Sequence, residues 1–223
     1  EPGVDCNAVA ADAGAWLHDV ARWRPTTSLL VPATMRAIVE HPDWPMADLS
    51  ALAFVNSGSS IVPRDLIEAF HRRGVPVAQV YGATETGPVS IVLKPDEAMA
   101  HPGKVGRPAL GVQVRLVEGE VWVRGPNVAR GYHRDEAACA FTDGWFRTGD
   151  LASLDADGCY EIVGRSKELI ISGGENIYSR EVEEALAAHP DVADCAVIGV
   201  PDPKWVEAVK ALVVVRPGGK LTQ

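Results

Sequence analysis

Residues 164–184, GRSKELIISGGENIYSREVEE, place a basic corner, an apolar strand, a double glycine and an acidic helix start side by side. Gly164 and Arg165 end one apolar run, and Lys167 and Glu168 interrupt it with charge. Residues 169–171 begin a second strand, after which Gly173 and Gly174 permit a turn that a β-carbon would obstruct. From Ser179 the chain reads as a helix, with Glu181, Glu183 and Glu184 in its first turns, where the helix dipole favours acids. The stretch reads as a hinge where two bodies meet beside a ligand site. A plainer reading, a surface hairpin between two strands of one domain, stands beside it, and the neighbouring segments decide between them.

Upstream of the hinge, from residue 105, short strands at 112–117 and 121–123 are separated by Glu118-Gly119, Gly125-Pro126, Asp143-Gly144 and Asp157-Gly158. That texture predicts antiparallel β structure closing into a small barrel. Before residue 105 the periodicity alternates. Trp16, Val20 and Trp23 recur at helical spacing up to Pro25, a strand follows at 28–31, and a helix follows Pro32. A strand at 51–55, a helix at 63–73 with Leu66, Ile67 and Phe70 on one face, and a strand at 77–81 complete the series. Strand and helix in alternation predict a parallel sheet covered by helices. Downstream, a helix at 179–188 and strands near 192–200 and 208–215 give an α+β piece. The expected fold class is therefore α/β: a parallel sheet layer plus a small antiparallel β-barrel subdomain, then a hinge and a partial α+β C-terminal domain. The corresponding boundaries are 1–104, 105–166 and 167–223.

The 223 residues are 47% hydrophobic, enough to bury a substantial core. Thirty acidic against 21 basic side chains give a formal charge of −9, and no Lys/Arg cluster offsets it, so a nucleic-acid partner is disfavoured. Cys6, Cys139, Cys159 and Cys195 are scattered, without a C-x-x-C pair, which suits free, packed thiols in a reducing, cytoplasmic setting. No apolar run reaches transmembrane length. The opening EPGVDC and the closing GGKLTQ read as cuts in a longer protein. The six tryptophans read as packing residues, and His71, His101, His133 and His189 as exposed or turn residues.

Residues 81–87, YGATETG, lie just beyond the end of an expected parallel strand, where open α/β sheets place their ligands. Tyr81 offers a flat face for a base and Gly82 lets backbone approach closely. Thr84 and Glu85 supply a hydroxyl and a carboxylate suited to phosphate oxygens and a hard Mg²⁺ ion. Taken alone, the segment also fits a polar turn with a packed tyrosine. The turn 56–60, NSGSS, ends a strand on the same sheet edge, so Ser57, Gly58 and Ser59 could lie against an adenine or form a plain Ser/Gly loop. Asp150, in WFRTGDL, reads as a residue at a strand start after a Thr-Gly turn. It either grips both hydroxyls of a ribose or caps turn amides. Arg165 either binds ribose or α-phosphate with its planar fork or pairs on the surface with Glu161 or Glu168.

The order, spacing and wording of these segments resemble the adenylate-forming superfamily, which includes acyl-CoA synthetases, adenylation domains of peptide synthetases and luciferases. YGATETG resembles that family's adenine and Mg-ATP motif. GEVWVRGPNVARGY with WFRTGDL resembles its ribose-binding region, and GRSKELIISGGENIYSREVE its crossing into a mobile C-terminal domain. The resemblance implies that Tyr81 stacks on adenine, Thr84 contacts phosphate, Glu85 holds Mg²⁺, Asp150 grips ribose and Arg165 contacts ribose or phosphate. It further implies that Lys167 is the hinge residue and that Gly173 and Gly174 line a channel for a pantetheine arm. ATP, Mg²⁺ and CoA are the implied cofactors and co-substrates, and a small carboxylic acid is the implied substrate.

The implied reaction makes an acyl-adenylate from the acid and ATP, then a CoA thioester. Alternatives are an adenylation domain that loads a carrier protein and a non-catalytic nucleotide-binding fragment. Ser179 stands where many relatives have Pro at a helix start, and it is expected to cap that helix. The family's lysine-containing phosphate loop is not found before YGATETG, and Gly219-Lys220 reads as a turn rather than the family's late catalytic lysine. The expectation is a chain that is inactive alone and belongs to an enzyme when complete. The identity of the acid and the oligomeric state are not legible.

Overall fold

The computed structural model describes residues 12–133 and 140–221, so Cys6 and Cys139 lie outside the described residues. The chain divides into two compact units. One comprises Glu1–Val114, Val123–Phe146 and Leu154–Glu161; the other comprises Arg115–Trp122, Arg147–Ser153 and Ile162–Gln223.

In the first unit, helix α1 (Ala13–Trp23) begins at Asp12, whose carboxylate accepts the Ala15 N–H at 3.0 Å. It buries Trp16, Leu17 and Val20. Trp23, at the same spacing, instead stands 68% exposed in the last turn with the Arg22 guanidinium 4.6 Å from its ring, and the left-handed Arg24 ends the helix directly after it. Strand β1 (Thr27–Leu30), helix α2 (Pro32–Glu40), strand β2 (Phe54–Ser57), helix α3 (Arg64–Arg72) and strand β3 (Val77–Tyr81) follow in alternation. β1, β2 and β3 are parallel neighbours in register Ser28↔Val55 and Val55↔Val77. Two short antiparallel strands, β4 (Ile91–Val92) and β5 (Arg107–Pro108), separated in sequence by the one-turn helix α4 (Pro95–Ala98), extend the sheet beyond β3, so the parallel layer has a mixed edge.

Two of the boundaries that differ from the sequence reading do so for clear local reasons. The apolar run at 51–55 is partly a turn, with the Leu52 N–H on the Leu49 carbonyl and both leucines buried, so β2 starts at Phe54. β1 stops at Leu30 because Val31 is the residue that leads into α2. Beneath the sheet, Met35, Ile38, Val55, Leu66, Ile67, Phe70, Val75 and Val77 are buried, and the Trp44 and Phe70 rings meet at 4.9 Å. Full burial of such side chains stabilises by roughly 1.5–3 kcal/mol each before conformational entropy is counted. His71 is half-buried rather than exposed. Its Nε2 accepts the Val77 N–H at 3.2 Å at the start of β3, and burial pushes the imidazole below its usual pKa.

The small barrel takes the form of a half-barrel sheet. It is made of β6 (Gln113–Val117), β7 (Glu120–Arg124), β9 (Trp145–Leu154) and β10 (Tyr160–Arg165), in the order β10-β9-β7-β6. β8 (Phe141–Thr142) pairs antiparallel with β9.

The second unit contains β11 (Leu169–Ser172), β12 (Glu175–Tyr178), helix α5 (Ser179–Ala187), β13 (Val192–Asp202) and β14 (Val206–Val215). Its sheet has the order β12-β11-β14-β13, and β13 and β14 form a long antiparallel hairpin. Ser179 does not cap α5. It is the first helical residue, and the cap position is Tyr178, which makes no side-chain capping bond. The first helical position is also where proline is tolerated, so serine and proline are interchangeable there for a reason other than capping. Glu183 ties α5 to β13: its carboxylate accepts the Val197 N–H at 2.8 Å and its carbonyl accepts the Cys195 thiol at 3.3 Å. Cys159 and Cys195 form no disulfide among the described residues. No helix among the described residues is long and apolar enough to cross a membrane.

Candidate active site

In the first unit, β2 and β3 are neighbours, so the NSGSS and YGATETG segments leave the sheet from adjacent strands. Ser57 is fully buried, and its Oγ has no hydrogen-bond partner among the described residues. Gly58 lies against β3: a β-carbon there would come within 2.8 Å of the Val80 side chain. Ser59 takes a left-handed φ of 69° at the exposed tip.

Tyr81 closes β3, and the chain crosses itself at Gly82. A β-carbon at Gly82 would stand 2.6 Å from the Pro88 carbonyl oxygen, so the close approach that glycine allows is made by the chain's own backbone. A short 3₁₀ turn, Thr84–Thr86, follows. The buried Thr86 locks it, accepting the Ala83 N–H on its hydroxyl while its own N–H bonds the Ala83 carbonyl, each at 3.0 Å. Thr84 is left exposed and Glu85 half-exposed.

The segment after β7 braces this turn. The Ala129 N–H bonds the Glu85 carbonyl at 2.7 Å, the Asn127 amide donates to the Thr86 carbonyl at 2.5 Å, and the Tyr132 hydroxyl donates to Glu85 Oε1 at 2.6 Å. Asn127 and Tyr132 carry no local signal of this role in the sequence, although both lie in the GPNVARGY segment that bears the family resemblance. Thr84 and Glu85 present hard oxygen donors on one turn, which is the donor chemistry Mg²⁺ accepts.

In the second unit, Asp150 lies inside β9 rather than at a strand start, and it is only 7% exposed. Its surroundings are fixed by polar bonds. The Gly149 N–H donates to Glu120 Oε1 at 2.9 Å, the Asp150 N–H donates to Thr148 Oγ1 at 3.0 Å, and the Thr148 hydroxyl donates to the Val121 carbonyl at 2.8 Å. Arg165 pairs with Asp150, Nε to Oδ1 at 2.9 Å. Thus two residues chosen separately from the sequence meet, whereas Glu161, one of the surface partners weighed for Arg165, is bonded by Lys104 at 2.6 Å.

Lys167 is exposed within a 3₁₀ turn, Ser166–Glu168, that links β10 to β11. Gly173 and Gly174 are the two-residue loop of the β11–β12 hairpin, between the paired Ser172 and Glu175, with φ of 60° and 89°. Two successive positive φ values are the requirement of a primed hairpin turn. The Gly173 N–H bonds the Trp205 carbonyl at 2.8 Å, and a β-carbon on Gly173 would strike the Trp205 ring at 2.8 Å. The double glycine is therefore the turn of a β-hairpin, the plainer of the two readings its sequence allows.

Outside these segments, His101, Asp155 and Cys159 bring donor atoms within 4.8 Å of one another. Asp155 Oδ1, however, already accepts the Asp157 and Cys159 N–H groups, and Oδ2 faces the Lys104 ammonium at 3.7 Å. A fixed cation beside the carboxylate opposes a second one, and Asp155 serves as the polar cap of the 155–159 turn.

The AMP-binding enzyme family matches residues 4–133, and the AMP-binding enzyme C-terminal domain matches residues 181–223. The chain is similar to the indoleacetate–CoA ligase of Aromatoleum aromaticum, 44% identical over 223 residues, covering 94% of this chain and 44% of that ligase. It is similar to the amide bond synthetase McbA from Marinactinospora thermotolerans, with a TM-score of 0.85 and 36% identity, covering 95% of this chain and 46% of that one. It is also similar to o-succinylbenzoate CoA synthetase from Bacillus subtilis bound to its acyl-adenylate intermediate, with a TM-score of 0.84 and 32% identity, covering 92% of this chain and 44% of that one. The same Bacillus enzyme has been solved with ATP and a magnesium ion. The chain thus spans less than half the length of the relatives it matches. With the first family match extending over more than half of the residues, the chain belongs to the AMP-binding enzyme family, in the acyl-CoA synthetase branch of the adenylate-forming superfamily.

Proposed function

We propose that this chain is part of an ATP-dependent carboxylate–CoA ligase. In the first step an oxygen of the acid attacks the α-phosphorus of ATP, and pyrophosphate leaves with the electrons of the broken P–O bond. In the second, the thiolate of CoA attacks the acyl carbonyl and AMP leaves, giving the thioester. A free carboxylate acylates poorly, whereas AMP departs readily, so the first step activates the second.

In this reading Tyr81 stacks on the adenine, with Ser57, Gly58 and Ser59 beside it. Thr84 contacts phosphate and Glu85 holds Mg²⁺, which when bound offsets charge on the polyphosphate. Asp150 accepts the ribose hydroxyls. Arg165 orients Asp150 in the arrangement described and contacts ribose or the α-phosphate. Lys167 absorbs the backbone rotation between the two steps, and Gly173-Gly174 admits the pantetheine arm. The division proposed for the complete protein keeps residues 1–104, 105–166 and 167–223 as its functional parts. A reducing, cytoplasmic setting suits the scattered thiols.

The Asp150–Arg165 pair carries this reading. Two side chains implicated in nucleotide binding by separate segments meet at 2.9 Å, with the carboxylate nearly buried and its backbone fixed by neighbouring polar bonds. The relatives' acids, indoleacetate and o-succinylbenzoate, put aromatic carboxylates first among the substrates to try. Similarity to an amide bond synthetase supports a second reading in which an amine takes the acyl group.

The test is pyrophosphate–ATP exchange by the full-length protein across a panel of acids, followed by CoA, an amine or a phosphopantetheinylated carrier as acceptor. Acid-dependent AMP and CoA thioester are expected, and Asp150→Ala should slow exchange by roughly 100-fold. Formation of ADP, or exchange unchanged in the variant, would reject the assignment.

A further inference from the structure

We infer that Tyr132 is a positioning residue for Glu85, holding its carboxylate in the orientation that receives the divalent cation accompanying ATP. The inference rests on the reading of Glu85 given above and extends it to a residue that reading does not use.

Glu85 sits on a turn of three residues, too short to fix a long side chain by itself. Its backbone is anchored by the Ala129 N–H and its neighbour Thr86 by the Asn127 amide, which leaves the carboxylate as the part still free to rotate. The Tyr132 hydroxyl removes that freedom with a bond of 2.6 Å to Oε1. That length is at the short end for a hydroxyl donating to a carboxylate oxygen. The tyrosine ring is itself set edge-on against Phe141, with centroids 5.5 Å apart, so the hydroxyl is carried on a supported group.

A carboxylate has about four acceptor sites, and one bond to Oε1 leaves capacity at Oε2 for a cation. Hydrogen bonds from outside the ligand set commonly orient metal-binding carboxylates, and their loss weakens metal affinity by about 10- to 100-fold. Tyr132 is 45% exposed, so water partly replaces its hydroxyl and a smaller loss, on the order of five-fold, is expected. All these contacts lie within the first compact unit.

The experiment uses the full-length protein with ATP and no acid, so that no turnover occurs, and Mn²⁺ as the probe, with free Mn²⁺ read by electron paramagnetic resonance. Tyr132→Phe should weaken Mn²⁺ binding on the order of five-fold, and Glu85→Gln should weaken it further. With acid present, Tyr132→Phe should raise the Mg²⁺ concentration for half-maximal AMP formation by a similar factor, while the rate at saturating Mg²⁺ stays within about two-fold. A variant that is slower at every Mg²⁺ concentration, with Mn²⁺ affinity intact, would show that the hydroxyl only supports the fold. Weakening in Glu85→Gln without weakening in Tyr132→Phe overturns the role of Tyr132 and leaves that of Glu85 standing. No weakening in either variant removes the cation from Glu85 altogether.

Discussion

The Thr84–Thr86 turn and the Gly173–Gly174 turn both reverse the chain at a strand end, yet they are held by opposite means. The first follows a strand whose Val77 and Ala78 are almost fully buried, crosses its own backbone at Gly82, and is braced by Asn127, Ala129 and Tyr132. The second closes a hairpin in a unit whose helix α5 buries none of its residues and whose strand β14 is largely exposed. There the restraints are local: the Trp205 carbonyl on the Gly173 N–H, and Glu207 Oε2 on the Ile171 N–H at 2.7 Å. A turn set on a filled core keeps its shape against a ligand's pull. The second turn's bonds to Trp205 and Glu207 all lie within its own unit, so it can travel with that unit intact, as the proposed exchange of faces during catalysis requires.

The contrast breaks or sharpens under three measurements. The largest effect belongs to the core beneath the first turn: Phe70→Ala should cost about 4 kcal/mol in urea unfolding, whereas Leu212→Ala, at a residue 50% exposed on β14, should cost less than about 1 kcal/mol. Equal losses would dissolve the distinction. Next, Val206 stands at φ 73°, a conformation that a β-branched residue adopts only under strain, beside Trp205 and 69% exposed. Val206→Gly should therefore stabilise the protein by about 1 kcal/mol, the relief of strain being partly offset by the greater freedom of the unfolded glycine. A melting temperature that fails to rise would place no strain at that corner.

The smallest effect concerns pH. Burial holds the His71 imidazole below its usual value of 6.5, so the unfolded chain binds a proton that the folded chain refuses in the interval beneath 6.5. Stability should fall as pH drops from above 6.5 towards the lowered folded pKa and level off below it. His71→Gln should flatten that slope in melting curves taken across the interval, and an unchanged slope would assign it to other groups.

Periodicity made the β-α-β order legible, including β3 at its observed bounds, because alternating burial and amphipathic helices leave their spacing in the chain. It misplaced β2 because a turn can bury leucines as well as a strand can, as Leu49 and Leu52 do. The candidate site was legible where its residues are contiguous, as in 81–87 and 164–174, and where wording alone pointed to Asp150 and Arg165. It was silent about Tyr132 and Asn127, since a tyrosine that bonds a carboxylate 47 positions away leaves no local pattern. Spacing marked Trp23 as packed, but it lies in the last turn of its helix and is 68% exposed, and spacing along a helix does not say how far its covered face extends. The absence of a cap at Ser179 was equally illegible, because serine favours both the cap and the first turn.

Under the ribose role proposed for Asp150, its pairing with Arg165 has a consequence for how a polyanion approaches a chain of net charge −9. An uncompensated carboxylate facing the nucleotide would add repulsion to an already negative long-range field. With its charge matched by a guanidinium at 2.9 Å, Asp150 offers acceptor oxygens at short range while adding little to the field felt at a distance. In that reading, encounter with nucleotide is separated from recognition of its sugar.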